Sequence, residues 1–82
     1  MEIKQIGAKV LTSLEVAEAL NVPYPTVYFW IRAGRLEAFQ EFTGRWHVRL
    51  EDLRIFLRNY PRRAIGEERL DSWLAQQEER AG

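Results

Sequence analysis

The sequence predicts a mainly α-helical domain with a small β-hairpin and an added C-terminal helix. Two short helical segments joined by a tight turn occupy residues 11–34. A stretch rich in aromatic and branched residues follows over residues 36–49 and contains a Thr-Gly-Arg turn sequence, and two further helical patterns come after it. A chain of 82 residues that is 46% apolar fits one small domain, near the lower size limit for a self-sufficient core.

The first helix is predicted to begin just after Thr12. Thr12 and Glu15 have the spacing of a capping box, in which each side chain accepts a hydrogen bond from the other residue's backbone N–H. The apolar face of this helix is predicted to comprise Leu14, Ala17 and Leu20. Asn21 tolerates the left-handed conformation of a helix end, and Pro23 cannot continue the helix. The helix is therefore expected to end at Asn21.

The second helix is predicted to begin near Pro25, because the N–H that proline lacks would be unpaired in a first turn anyway. Gly34 is placed to cap its C-terminal end. The residues predicted to face the core are Val27, Trp30 and Ile31. A helix, a short turn and a second short helix make a helix-turn-helix motif.

A β-hairpin is predicted after the two helices. Residues 36–42 and 46–49 are rich in strand-forming residues, and they flank Thr43-Gly44-Arg45, a three-residue connection with glycine at its centre. A third helix is predicted from about Glu51 to Asn59, with an inward face of Leu53, Phe56 and Leu57. Helix-turn-helix, hairpin and helix in this order make a winged helix-turn-helix.

The chain is predicted to divide into four segments. These are an N-terminal arm (1–10), a winged helix-turn-helix domain (11–60), a linker (61–65) and an acidic amphipathic helix (66–82). The apolar stripe of the last helix is predicted to comprise Leu70, Trp73, Leu74 and Gln77. Packing of this helix on its own domain is favoured because so small a core gains from extra buried area. Packing on a second copy or on another protein stays open.

The charges balance over the whole chain but are unevenly distributed. Residues 1–65 hold ten basic and seven acidic residues, a net of +3, whereas residues 66–82 hold two basic and five acidic residues, a net of −3. The two parts are therefore expected to have different roles. Arg54 and Arg58 lie four apart on one face of the third helix, where we expect them to be solvated.

Several functional classes are disfavoured by what the sequence lacks. Without cysteine, neither a disulfide nor a thiolate metal site is possible. We expect no enzymatic activity, cofactor or metal, since there is no Gly-rich phosphate loop and the single histidine has no recognisable partner. The apolar runs are too short to span a bilayer and no signal peptide is visible, so we expect a cytoplasmic protein of a bacterial or phage-infected cell, with no membrane partner.

Residues 11–58 resemble the excisionase-type DNA-binding domains, which are small relatives of the MerR regulators. The matching motifs are Leu11-Thr12 with Glu15, Val16 and Ala17; Asn21-Val22; Thr26-Val27-Tyr28; residues 30–36 (Trp-Ile-Arg-Ala-Gly-Arg-Leu); Gly44-Arg45 leading to Val48; and Glu51-Asp52-Leu53. The resemblance implies double-stranded DNA as the partner, with the second helix in the major groove and the wing in the minor groove. It further implies an architectural factor (a recombination directionality factor) that bends DNA and directs excision by a phage integrase.

The resemblance places the candidate DNA contacts on the second helix, on the wing and at the end of each. They are Tyr24, Pro25, Thr26, Tyr28, Phe29, Arg32, Arg35, Thr43, Gly44, Arg45, His47 and Arg49. Arg32 and Arg35 are expected at backbone phosphates, and Arg45 at the wing tip is expected to read minor-groove shape. His47 is interpreted as a strand residue facing phosphate, since it has no neighbours with metal-ligand spacing.

The front of the second helix departs from the family pattern and keeps other functions open. Relatives usually carry serine and arginine where Pro23 and Tyr24 stand, and a basic or polar residue where Phe29 stands. This aromatic front favours a protein-binding adaptor or a small terminase-like module, whereas the arginines favour DNA. A small MerR-like transcription regulator is the sibling interpretation. The corresponding protein partners would be an integrase or recombinase, RNA polymerase, or a second copy of the chain bound on DNA or through the C-terminal helix.

Overall fold

The structure is a computed structural model, and it describes residues 9–59 and 66–81. The elements are β1 (Val10–Thr12), α1 (Ser13–Leu20), α2 (Tyr24–Arg32), β2 (Phe39–Gln40), β3 (Trp46–Arg49), α3 (Leu50–Asn59) and α4 (Glu67–Ala81). The strands form one antiparallel sheet in the order β1-β3-β2. This arrangement confirms the predicted winged helix-turn-helix with an added C-terminal helix. The predicted linker and most of the predicted arm lie outside the described residues.

Both ends of α1 have the predicted caps. The backbone N–H of Glu15 donates to Thr12 Oγ1 at 3.1 Å, and the N–H of Thr12 donates to Glu15 Oε1 at 2.9 Å. At the other end, Asn21 is left-handed (φ 58°), and the next N–H, that of Val22, donates to the carbonyl of Ala17 at 3.0 Å. These bonds satisfy backbone groups that a helix end leaves unpaired.

The predicted apolar face of α1 is wrong at Leu14, which is 60% exposed. The buried face instead runs along Val16, Ala17, Ala19 and Leu20, with Ser13 buried at its start. An eight-residue helix turns one stripe toward its neighbours, and here that stripe is centred on Val16 and Leu20, both fully buried. Leu14 matches the helical period but lies to one side of this stripe, toward the wing.

The second helix has the predicted inward face and the predicted glycine at its end. Val27, Trp30 and Ile31 are buried. Gly34 has φ +75°, and its N–H donates to the Ile31 carbonyl at 3.1 Å, while the N–H of Arg35 donates to the Trp30 carbonyl at 2.9 Å. This pair of bonds is a Schellman motif, which requires a left-handed residue at the position of Gly34. An added Cβ would meet nothing within 4 Å there, so the backbone angle selects glycine.

The hairpin forms, with a shorter first strand and a longer loop than predicted. Pairing with β3 is confined to Phe39 and Gln40, which lie opposite His47 and Trp46. The connection therefore spans the five residues 41–45 instead of the predicted three. A turn already begins at Glu41, whose carbonyl accepts the N–H of Gly44 at 2.8 Å. β1 adds a third strand on the other side of β3, so β3 is central.

The third helix begins at Leu50, one residue before the predicted start. Leu53 and Leu57 are buried, and the Phe56 ring packs against that of Trp30 with centroids 4.8 Å apart. α3 thereby joins the core that α1 and α2 form. No helix within residues 9–59 and 66–81 is long and apolar enough to cross a membrane.

The C-terminal helix packs on its own domain, against α1 and α3. Leu70 is fully buried, and Trp73 and Leu74 pack against the same core. Arg69 Nη1 donates to the carbonyl of Leu20 at 3.0 Å, at the C-terminal end of α1. Packing in cis is therefore what the structure shows for this helix.

Arg54 is not solvated as predicted, because acidic side chains of α4 cover it, whereas Arg58 stays exposed as predicted and pairs with Glu67 at the surface. Arg54 is 3.1 Å from Glu67 Oε2 and 3.0 Å from Asp71 Oδ1, and Arg58 Nε is 3.2 Å from Glu67 Oε1. Hydrogen bonds to Asp71 and Glu67 raise the pKa of the Arg54 guanidinium above its ordinary value. Hydrogen bonds from Arg54 and Arg58 hold the pKa of Glu67 below its ordinary value. Part of the negative charge of α4 is thus neutralised within the domain.

Candidate nucleic-acid interface

The outer face of α2 carries an aromatic surface. Because Val27, Trp30 and Ile31 turn inward, the residues between them turn outward. Phe29 is 59% exposed, and Tyr24 and Tyr28 are each 37% exposed. Pro25 and Arg32 are exposed as well, whereas Thr26 is partly buried and its N–H donates to the Pro23 carbonyl at 3.0 Å.

Three side chains of this face support one another along the helix. The rings of Tyr24 and Tyr28 stack with centroids 6.4 Å apart. Arg32 Nη1 donates to the Tyr28 hydroxyl at 2.9 Å, and its guanidinium carbon lies 5.6 Å from the centre of that ring. Ser13 donates to the Tyr24 hydroxyl at 3.4 Å, which ties the front of α2 to α1. Arg32 keeps further N–H donors, and the Tyr28 hydroxyl can still donate, so both groups have donors free for another acceptor.

The wing tip comprises residues 41–45, and its backbone is closed by hydrogen bonds. The Glu41 N–H donates to the Arg45 carbonyl at 3.1 Å, and Gln40 Nε2 donates to the Gly44 carbonyl at 2.8 Å. Gly44 has φ +92°, which a residue with a side chain adopts only under strain. Phe42 is 99% exposed. The Arg45 side chain makes no hydrogen bond or ion pair with any residue that the structure describes.

The wing tip lies beside the front of α2. Thr43, Gly44 and Arg45 line one groove together with Tyr24 and with the first residues of α1. Leu14 lines this groove too, which accounts for its exposure. The structure therefore brings the predicted contacts of the wing tip and the predicted contact at the start of α2 to one face.

The other predicted contacts are engaged within the domain or lie elsewhere. The His47 ring stacks on Phe39 at 5.6 Å, and its Nε2 is 3.5 Å from Glu41, which leaves its side chain 18% exposed. The guanidinium carbon of Arg49 lies 5.1 Å from the centre of the same Phe39 ring, and Arg49 Nη1 is 3.9 Å from Asp52 Oδ2. Arg35 lines a separate cleft between the end of α2 and α3. Arg32 and Arg45 are thus the two predicted arginines most directly associated with the aromatic face and the wing tip.

Two exposed residues of this face were not predicted from the sequence. Leu14 was assigned to the core because its spacing fits the apolar period of α1. Phe42 was assigned to a strand because aromatic residues are frequent in strands. A signal for Phe42 was present in the sequence, since it lies two residues before the glycine of the turn.

Comparison with known proteins identifies one family. A model of that family, described as a helix-turn-helix domain, matches residues 10–61, more than half of the chain. The matched range includes β1 to α3 and ends before α4. Neither the search of curated proteins nor the search of solved structures finds a significant match.

Proposed function

The chain belongs to a family of helix-turn-helix domains that comprises excisionase-like DNA-binding domains, and from this premise we propose how it engages DNA. In the proposal, α2 enters the major groove of a DNA duplex and the wing tip enters the neighbouring minor groove. An α-helix fits the major groove, whereas the narrower minor groove suits a hairpin tip. The alignment of the front of α2 and the wing tip on one face supports this arrangement.

The observation that carries the proposal is the Arg45 guanidinium at the wing tip. Its charge is not neutralised by any described side chain, whereas Arg54 and Arg58 of α3 pair with carboxylates. A narrow minor groove has an enhanced negative potential that attracts arginine. Arg45 is therefore proposed as the minor-groove contact, and Arg32 with Tyr28 as a phosphate contact beside the major groove.

The front of α2 carries aromatic side chains and no arginine, so it offers no bidentate arginine contact to a base. Tyr24 and Phe29 present apolar surface that suits thymine methyl groups. Such contacts discriminate less than paired hydrogen bonds do, so DNA shape and deformability would supply more of the specificity. We therefore propose an architectural role, in which the protein bends DNA and directs integrase-mediated excision without catalysing a reaction itself.

A protein-binding adaptor is the second candidate, and the same aromatic front favours it. Tyr24, Tyr28 and Phe29 are all exposed, the two tyrosine rings stack, and aromatic residues are enriched at protein interfaces. A transcription regulator would use the DNA contacts of the first candidate and add a contact with RNA polymerase. Arg32 and Arg45, which pair with no described carboxylate, favour DNA binding over the adaptor, because a DNA duplex presents a dense array of phosphate charges.

The test is binding to a random-sequence DNA duplex across a salt series. Wild type is compared with Arg45→Ala and with Arg58→Ala, a matched control whose arginine pairs with Glu67 on the side of α4. The logarithm of the DNA-binding constant should fall with the logarithm of the salt concentration. Loss of one phosphate or groove contact should make this fall less steep by about 1 in Arg45→Ala, and Arg58→Ala should keep the wild-type steepness. Circular dichroism checks that both variants remain folded.

The outcomes separate the two candidates. An unchanged slope in Arg45→Ala would contradict the minor-groove position of the wing. Absence of binding by wild type at low salt would refute the DNA proposal and leave the adaptor, for which Phe29→Ala would be the first variant to test. Equal losses in Arg45→Ala and Arg58→Ala would indicate only a diffuse effect of net charge.

A further inference from the structure

Phe42 is the most exposed large apolar residue described, with 99% of its surface in solvent. The other exposed aromatic residues rest partly on neighbours, as Tyr24, Tyr28 and Phe39 do at 37% exposure each. Single exposed apolar residues are common on proteins, so exposure alone assigns no role. The position of Phe42 on the wing tip is what gives its exposure a meaning.

The loop holds Phe42 at the far end of the hairpin. The hydrogen bond from the Gly44 N–H to the Glu41 carbonyl, at 2.8 Å, makes Phe42 the second residue of a closed turn. The bond from Gln40 Nε2 to the Gly44 carbonyl, also 2.8 Å, braces the same turn from the strand. A turn braced in this way holds the backbone at Phe42, so less backbone freedom is lost there on binding.

A charge on the same loop indicates what the wing tip contacts. Arg45 follows Phe42 by three residues and lines the groove beside Tyr24, and its guanidinium has no partner among the described residues. An apolar ring together with a free cation at one tip matches the minor groove of DNA, where arginine binds and apolar side chains insert between base pairs.

We propose that Phe42 is a wedge that inserts into a base step of the minor groove when the wing binds. The inference rests on the proposed DNA binding and deepens it. Partial unstacking by a wedge kinks the duplex toward the major groove. Pyrimidine–purine steps such as TA unstack at the lowest cost, so the wedge gives a sequence preference without hydrogen bonds to bases. That preference complements the aromatic front of α2.

The test uses the intact protein and two duplexes, one of alternating T and A and one a continuous A-tract. The alternating duplex carries one 2-aminopurine, whose fluorescence rises when it unstacks, and each duplex carries a dye pair at its ends that reports bending. The variants are Phe42→Ala, Phe42→Leu and Ile55→Ala. Ile55→Ala is the matched control, because it removes an exposed apolar side chain from the surface of α3 instead of the wing.

Wild type at low salt should bend the alternating duplex more than the A-tract and should raise the 2-aminopurine fluorescence. Phe42→Ala should lose both signals and bind the alternating duplex roughly ten-fold more weakly, as loss of a stacked ring predicts. Phe42→Leu should retain much of both signals, since leucine also acts as a wedge. Ile55→Ala should keep the unstacking signal.

Three results would overturn the wedge. Wild type could bind without unstacking or bending the alternating duplex, Phe42→Ala could keep both signals, or Ile55→Ala could lose the unstacking signal as fully as Phe42→Ala. In each of these cases the proposal of DNA binding would still stand. Absence of binding by wild type to either duplex at low salt would instead refute the proposed function, and the wedge with it. Thermal unfolding of Phe42→Ala should match wild type, because so exposed a ring contributes little to the core.

Discussion

Leu70 anchors α4 to the rest of the domain, and its truncation measures how much the C-terminal helix contributes to stability. The Leu70 side chain is fully buried within the cluster that includes Leu20 and Leu53. Leu→Ala in a core costs about 2–5 kcal/mol, from lost apolar burial and the cavity left behind. Because α4 lies at the edge of this core and can settle into part of the cavity, we expect about 2–3 kcal/mol.

The assay is urea and thermal unfolding of Leu70→Ala beside Leu14→Ala, a matched control with the same atoms removed. Leu14 is 60% exposed, so its truncation should cost less than about 0.5 kcal/mol. For a domain of this size, 2–3 kcal/mol corresponds to a fall in Tm of roughly 8–24 °C. Equal and small effects of the two substitutions would refute the docking of α4 on its own domain. A loss in Leu70→Ala that depends on protein concentration would instead indicate packing between copies.

Three further predictions concern the ion pairs of α4, the turn at the wing tip and the N-terminal cap of α1. Because Arg54 and Arg58 lower the pKa of Glu67, their contribution to stability is complete above its ordinary value of 4.5 and is lost as the pH falls through the lower folded-state pKa. Glu67→Gln should flatten this acid dependence in unfolding experiments, and an unaltered pH profile would contradict it. Gly44→Ala should lower the free energy of unfolding by roughly 1–2 kcal/mol, because φ is +92° at this position although an added Cβ would meet no neighbour. Urea unfolding equal to that of wild type would show that the loop relaxes. Thr12→Ala should cost about 1 kcal/mol by removing the capping box, as judged against Thr43→Ala on the exposed wing; equal losses would argue against the cap.

The order of elements was predictable because it depends on local chemistry. Thr12 and Glu15 cap each other across three residues, and Asn21 and Gly34 end their helices because few residues accept a left-handed backbone. Such signals need no knowledge of the rest of the chain. The helix-turn-helix resemblance added the expectation of DNA binding, and the family match over residues 10–61 confirms it at that level.

The errors arose where distant parts of the chain compete. Leu14 fits the period of α1, but the neighbours of α1 lie nearer to Val16 and Leu20, so a different stripe is buried. The pattern of α3 alone predicts a solvated side chain for Arg54, but Glu67, 13 residues later in the chain, forms a hydrogen bond with it. In the hairpin, the glycine was correctly placed in the turn, but the turn begins at residue 41 and shortens the strand before it.

The sequence by itself determined the helix caps, the type and order of the elements, and the uneven charge of the two parts, because each depends on residues within a few positions of one another. Tertiary structure alone decided the rest. It packed α4 on α1 and α3, and it paired Arg54 and Arg58 with Glu67. It also set the wing tip beside Tyr24 and left Phe42 in solvent. These outcomes depend on which surfaces bury each other, and burial is a property of the whole folded chain.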